Sequence, residues 1–130
     1  MGACYSVEFL YKFKNEEKAK KILQDFVKNT NANFHLDTFK AEGVDVTSAK
    51  GLIQIILAGY KRTPYKDVEE IGGFRLATND FDASYGWETL LTDFFEALAP
   101  CLENGSRIYI EPDDGWTEYV IENGTVKQTH

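Results

Sequence analysis

The stretch EPDDGWTEYVIENGTV, residues 111–126, crowds Glu111, Asp113, Asp114, Glu118 and Glu122 around Trp116 and Tyr119. Paired carboxylates of this kind could cleave a glycoside, given a cleft and one carboxyl held protonated. They could also ligate a hard cation through oxygen. Asp80 and Asp82 in NDFDAS, with Asp113 and Asp114 in PDDG, are the candidates for Mg²⁺ or Ca²⁺. Neither stretch follows the spacing of a calcium-binding helix–loop–helix, and Asp beside Gly is also what tight turns require. The turn reading is preferred, and no metal ligand is assigned.

The other reactive types are sparse. His35 has no sequence-local partner, and His130 is the last residue of the chain. Cys4 and Cys101 have no paired spacing with either histidine, so neither a zinc site nor a thiol nucleophile is indicated. There is no GxGxxG, phosphate-binding loop or nucleophile elbow. No catalytic residue and no cofactor are expected, and a non-enzymatic role is favoured.

Composition frames this. The chain has 130 residues, 43% hydrophobic and 27% charged, enough for one folded domain over 1–130. No apolar run is long enough to span a bilayer. The N-terminus lacks the pattern of a secretory signal, and two cysteines make no disulfide framework, so a cytoplasmic setting is expected. The GACYS stretch has the Gly and Ser spacing of an acylation site, but Tyr5 and Val7 already read as strand. Charge is uneven: residues 1–75 carry a net +2 and residues 76–130 a net −9. The acidic part disfavours nucleic acid and anionic lipid as partners and suits a basic protein, or the opposite end of a second copy. Lys18, Lys20, Lys21 and Lys28, with Lys61, Arg62 and Lys66, are the weak counter-argument for nucleic acid. They spread around a helix rather than forming a stripe with aromatics, and read as a solvated face.

The elements that must position these residues follow from periodicity. Residues 4–13 alternate, with Tyr5, Val7, Phe9, Tyr11 and Phe13 on one face and Ser6, Glu8 and Lys12 on the other: a half-buried strand. Asn15 caps a helix running to about residue 28, with Ala19, Ile22, Leu23, Phe26 and Val27 as its apolar face. Residues 34–41 are compatible with a strand. GLIQIILAG, 51–59, is short, Ile-rich and glycine-bounded, and is expected to be a buried strand. Residues 60–73 read as a polar connection and 74–81 as another strand. Trp87, Leu90, Leu91, Phe94, Phe95 and Leu98 make a second helix, ended by Pro100. Three short strands close the chain, near 106–111, 116–122 and 125–129, the last two joined by Asn123-Gly124.

The expected architecture is α+β: two helices on one face of a mainly antiparallel sheet, compatible with the βαββαβ order of ferredoxin-like folds plus a C-terminal β-hairpin. Asn104-Gly105-Ser106 and Asn123-Gly124-Thr125 match a glycosylation sequon but read as turns.

The Asn-Gly turn sets a register in which Ile108, Ile110, Tyr119, Ile121 and Val126 face the helices. Arg107, Tyr109, Glu111, Trp116, Glu118, Val120 and Glu122 face the other way, with Tyr109 opposite Glu118 and Trp116 opposite Glu111. Tyr109, Glu111, Trp116, Glu118 and Glu122 are the candidate partner-binding residues, because Trp and Tyr anchor interfaces and carboxylates steer a basic partner. A protein inhibitor or immunity-type protein against a basic, nucleic-acid-processing target is one concrete form. The alternatives are a cover formed by residues 30–50, self-association as a homodimer, or a small-molecule binder or enzyme with a pocket lined by Tyr5, Tyr11 or Tyr85.

Overall fold

The computed structural model describes residues 2–30, 32, 34–58, 65–84 and 86–130. Six strands form one open antiparallel sheet: β1 (Gly2–Tyr11), β2 (Lys66–Glu69), β3 (Arg75–Ser84), β4 (Arg107–Glu111), β5 (Thr117–Glu122) and β6 (Thr125–Gln128). Their order across the sheet is β2-β3-β1-β4-β5-β6. Four helices accompany it: α1 (Glu16–Asn29), α2 (Leu36–Ala41), α3 (Ala49–Ile56) and α4 (Trp87–Leu98).

The alternation in β1 sets the two faces. Tyr5, Val7, Phe9 and Tyr11 are all buried, joined on the same face by Ala77, Phe81, Ile108, Ile110 and Ile121. Against them pack Leu91, Phe94, Phe95 and Leu98 of α4 and Ala19 and Leu23 of α1. Phe9 sits at the centre, its ring 5.1 Å from Phe94 and 4.6 Å from Tyr11. Removing a ring this enclosed costs roughly 3–5 kcal/mol. Asn15 caps α1 as its sequence position requires, its side chain accepting from the Lys18 amide at 3.0 Å.

Three expectations are corrected. Residues 51–59 do not form a strand; 49–56 form α3, and residue 59 lies outside the described residues. The Ser48 hydroxyl accepts from the Gly51 amide at 3.0 Å and starts the helix. The helix buries Ala49, Gly51, Leu52, Ile53, Ile55 and Ile56, and such all-round burial erases the polar stripe that distinguishes a helix from a strand. At its far end Asn79, buried on β3, donates to the Leu57 carbonyl at 2.9 Å and so supplies a partner to a helix-end acceptor. Residues 36–41 are helical, entered through His35 in a left-handed conformation (φ 54°) and anchored by Phe39. The connection before β3 contains the short edge strand β2.

The α+β class and the antiparallel sheet therefore stand. The ferredoxin-like order is not confirmed, because β1 pairs antiparallel with both β3 and β4. The C-terminal meander keeps the expected register throughout: Ile110↔Thr117, Ile108↔Tyr119 and Tyr109↔Glu118, then Ile121↔Val126 and Glu122↔Thr125. Asn123 and Gly124 both have positive φ (53° and 77°), as a two-residue hairpin turn of this type demands.

One charged cluster is built into the helical face at the β2 edge. Arg75 Nε donates to Asp67 Oδ1 at 2.7 Å, and the Tyr11 hydroxyl donates to Asp67 Oδ2 at 2.7 Å. Asp67's side chain is 3% exposed. The pair ties the edge strand to β3 and β1.

Candidate functional site

The second face of the sheet carries no helix. Reading across it from the register, one row runs Lys66, Thr78, Glu8, Tyr109, Glu118. The next runs Val68, Leu76, Leu10, Arg107, Val120, Lys127. A third contains Asp80, Ser6 and Glu111. Over these rows lies a groove of about 650 Å³, walled on one side by the 70–74 turn. Its lining includes Glu8, Glu70, Glu111 and Glu118 against a single cation, Arg107. Leu10, Leu76, Phe74 and Ile71 supply the apolar part, and Ile71 is 96% exposed.

At one end of this face stands an aromatic cluster. Trp116, 40% exposed, has the Tyr109 ring 5.3 Å away on one side. On the other the His130 imidazole stacks on it, centroids 3.6 Å apart and planes within 8°. His130 is held there by the main chain: the Glu118 amide donates to its carbonyl at 3.1 Å. The neighbouring Thr129 hydroxyl donates to the Glu118 carboxylate at 2.9 Å. The Tyr109 hydroxyl donates to Glu111 in a short hydrogen bond. That bond, with some desolvation and the charge of Glu111, pushes the Tyr109 hydroxyl up to about 12, so it remains a neutral donor at physiological pH.

Of the residues singled out from sequence, Tyr109, Glu111, Trp116 and Glu118 come together. Glu122 does not join them; it lies beside the hairpin turn, 3.6 Å from Lys127. Ser6, Glu8 and Leu10 were already on the polar side of β1, but their part in this face depends on β1 lying next to β4, which periodicity does not reveal. Glu70, Ile71 and Phe74 carried no signal beyond a glycine-containing turn. None of the described residues from 34 to 50 lines the groove. Phe34 and Phe39 are instead in the core, with Phe34 edge-on to Trp87 at 6.1 Å.

The remaining candidates are placed as follows. Asp80 accepts from the Ser6 hydroxyl at 2.6 Å. Asp82 accepts from the Cys4 thiol at 3.0 Å and Asp113 from the Cys4 amide at 3.1 Å. Among the described residues no group of three or more His, Cys, Asp or Glu is arranged to hold a metal ion. Cys101 is buried, and burial pushes its thiol up, away from the reactive thiolate. Tyr5 and Tyr11 are 2% and 3% exposed, and neither lines the larger groove. Their hydroxyls donate to Glu88 at 2.6 Å and to Asp67 at 2.7 Å. Tyr85, Lys61 and Arg62 lie outside the described residues. No described helix is long and apolar enough to cross a membrane.

No protein-family model, curated protein or solved structure matches the chain.

Proposed function

We propose that the protein is a non-enzymatic interaction protein that uses the acidic, aromatic side of its sheet to bind a basic protein partner. The observation that carries this reading is the groove itself: four carboxylates and one guanidinium line it, beside the Tyr109–Trp116 pair, on a sheet face that carries no helix. Carboxylates so placed steer a basic partner in and repel anionic surfaces. The half-exposed Trp116, braced between Tyr109 and His130, supplies contact area that needs little further ordering on binding. An inhibitor or immunity-type protein acting on a basic, nucleic-acid-processing target, in the cytoplasm, is the concrete form this takes.

Photo-cross-linking tests it. A photoreactive phenylalanine analogue replaces Trp116 in one variant and Lys21, on the opposite layer, in another. A discrete adduct with a basic protein from position 116 and none from position 21 is the expected result. Identical adduct patterns from both positions, or none from 116, would remove the proposal. Self-association as a homodimer is the competing reading, and it appears in the same experiment as an adduct of twice the chain mass.

A further inference from the structure

We infer that the groove accepts an amphipathic, basic α-helix of the partner, rather than an extended segment or a second copy of this chain. This rests on the partner-binding role proposed above and specifies the chemistry of the occupant. The groove floor is made by β1, β3 and β4, and each of these has a hydrogen-bonded strand on both sides. An extended peptide lying there would find no free backbone N–H or C=O to pair with, and burying it would leave its own unpaired. A helix satisfies its backbone internally and needs only side-chain complementarity.

The lining gives that complementarity in two strips. Leu10, Leu76, Phe74 and Ile71 face the apolar side of such a helix. Glu8, Glu111 and Glu118 flank them as three outward carboxylates on neighbouring strands, spaced for Lys or Arg on the helix shoulder. Arg107 stands among the apolar residues, opposite Leu10 and Val120, and has no hydrogen-bond or ion-pair partner among the described residues. It sets the register by accepting one acidic residue of the occupant.

A second copy cannot supply this helix from the described residues. The apolar faces of α1, α3 and α4 are already spent: Ala19 and Leu23, then Leu52, Ile53 and Ile56, then Leu91, Phe94 and Phe95, all lie in the core. α2 has 6 residues and commits Phe39. Face-to-face pairing of two sheets would set carboxylate rows against each other in a chain of net charge −7.

The probe is a synthetic Leu/Lys peptide of about five helical turns, roughly 18 residues, titrated into the ¹⁵N-labelled full chain. A scrambled peptide of identical composition, without an amphipathic face, is the control. Shifts are expected at Leu10, Ile71, Leu76 and Glu118, with the scrambled peptide at least about tenfold weaker. Glu8→Lys and Ile71→Ser, both at exposed positions, are each expected to weaken binding by about tenfold, while Glu96→Lys on α4 leaves it unchanged.

Equal binding of the scrambled peptide would reduce the groove to a charge patch and overturn the inference. So would shifts confined to the backbone of β2 or β6, which signify strand addition, or the same shifts appearing on concentrating the protein alone, which signify a second copy. If a cross-linked partner is found from position 116 while the peptide leaves the groove unmoved, the helix is wrong and the partner-binding face stands. If both experiments fail, both readings fall.

Discussion

His130 lies flat on Trp116, ring centroids 3.6 Å apart and planes within 8°, while Tyr109 closes the other side at 5.3 Å. The indole is thus braced yet still 40% exposed. Such a residue keeps its conformation in the free protein and retains surface to bury on binding. That combination distinguishes a binding anchor from a core tryptophan such as Trp87, which is 5% exposed.

His130→Ala is therefore expected to uncover Trp116 without disturbing the core. Acrylamide quenching of the exposed tryptophan should rise while the Trp87 contribution stays protected. The loss of one stacked pair at a half-exposed site costs about 1 kcal/mol in a denaturant titration.

Asp67→Ala should be far more damaging. It strips the partner from Arg75 and from the Tyr11 hydroxyl at once, at a carboxylate 3% exposed. The expected loss is about 3 kcal/mol, and hydrogen exchange in β2 and the adjoining half of β3 should accelerate first.

Gly51→Ala tests why α3 begins where it does. A Cβ at this position would stand 1.9 Å from the Asp45 carbonyl oxygen, so the 45–48 turn must move away. Although alanine is the better helix former, the clash is expected to dominate and destabilise by about 1–3 kcal/mol in chemical denaturation.

Alkaline pH should unfold the chain through its tyrosines. Burial, reinforced by hydrogen bonds to carboxylates, raises Tyr5, Tyr11 and Tyr65 far above their ordinary value of 10.0. The folded state then holds protons that the unfolded state releases. Stability from this source is fully present below pH 10 and falls as pH climbs beyond it toward the folded values. Absorbance at the phenolate band is expected to show Tyr109 titrating near pH 12 and these three ionising only with loss of the fold. Tyr11 and Tyr5 ionising reversibly at pH 10 in a folded protein would contradict it.

How much of this was legible in the sequence depended on local physics. The C-terminal register was, because Asn123-Gly124 fixes one turn geometry and the alternation on either side admits one facing. β1, α1 and α4 were, because each buries one face only. α3 was not, since a helix enclosed on nearly every side has no polar stripe, and its glycine marks close approach to Asp45 rather than a strand end. β2 has only 4 residues and a charged composition, and was hidden inside a polar connection. For the candidate site, Tyr109, Glu111, Trp116 and Glu118 came from the hairpin alone. Glu8, Leu10 and Leu76 joined them only through the β3-β1-β4 adjacency, a long-range pairing with no short-range signature. The cover on Trp116 was likewise hidden: His130 reaches it through a backbone pairing with Glu118 that continues past β6.

The most direct test of the central claim is Trp116→Ala, read for binding and stability together against the cross-linked partner. The partner-binding role predicts an affinity loss of about tenfold or more, with an unfolding free energy within about 1 kcal/mol of the parent. Unchanged affinity, or a fold that collapses when this indole is removed, would contradict it.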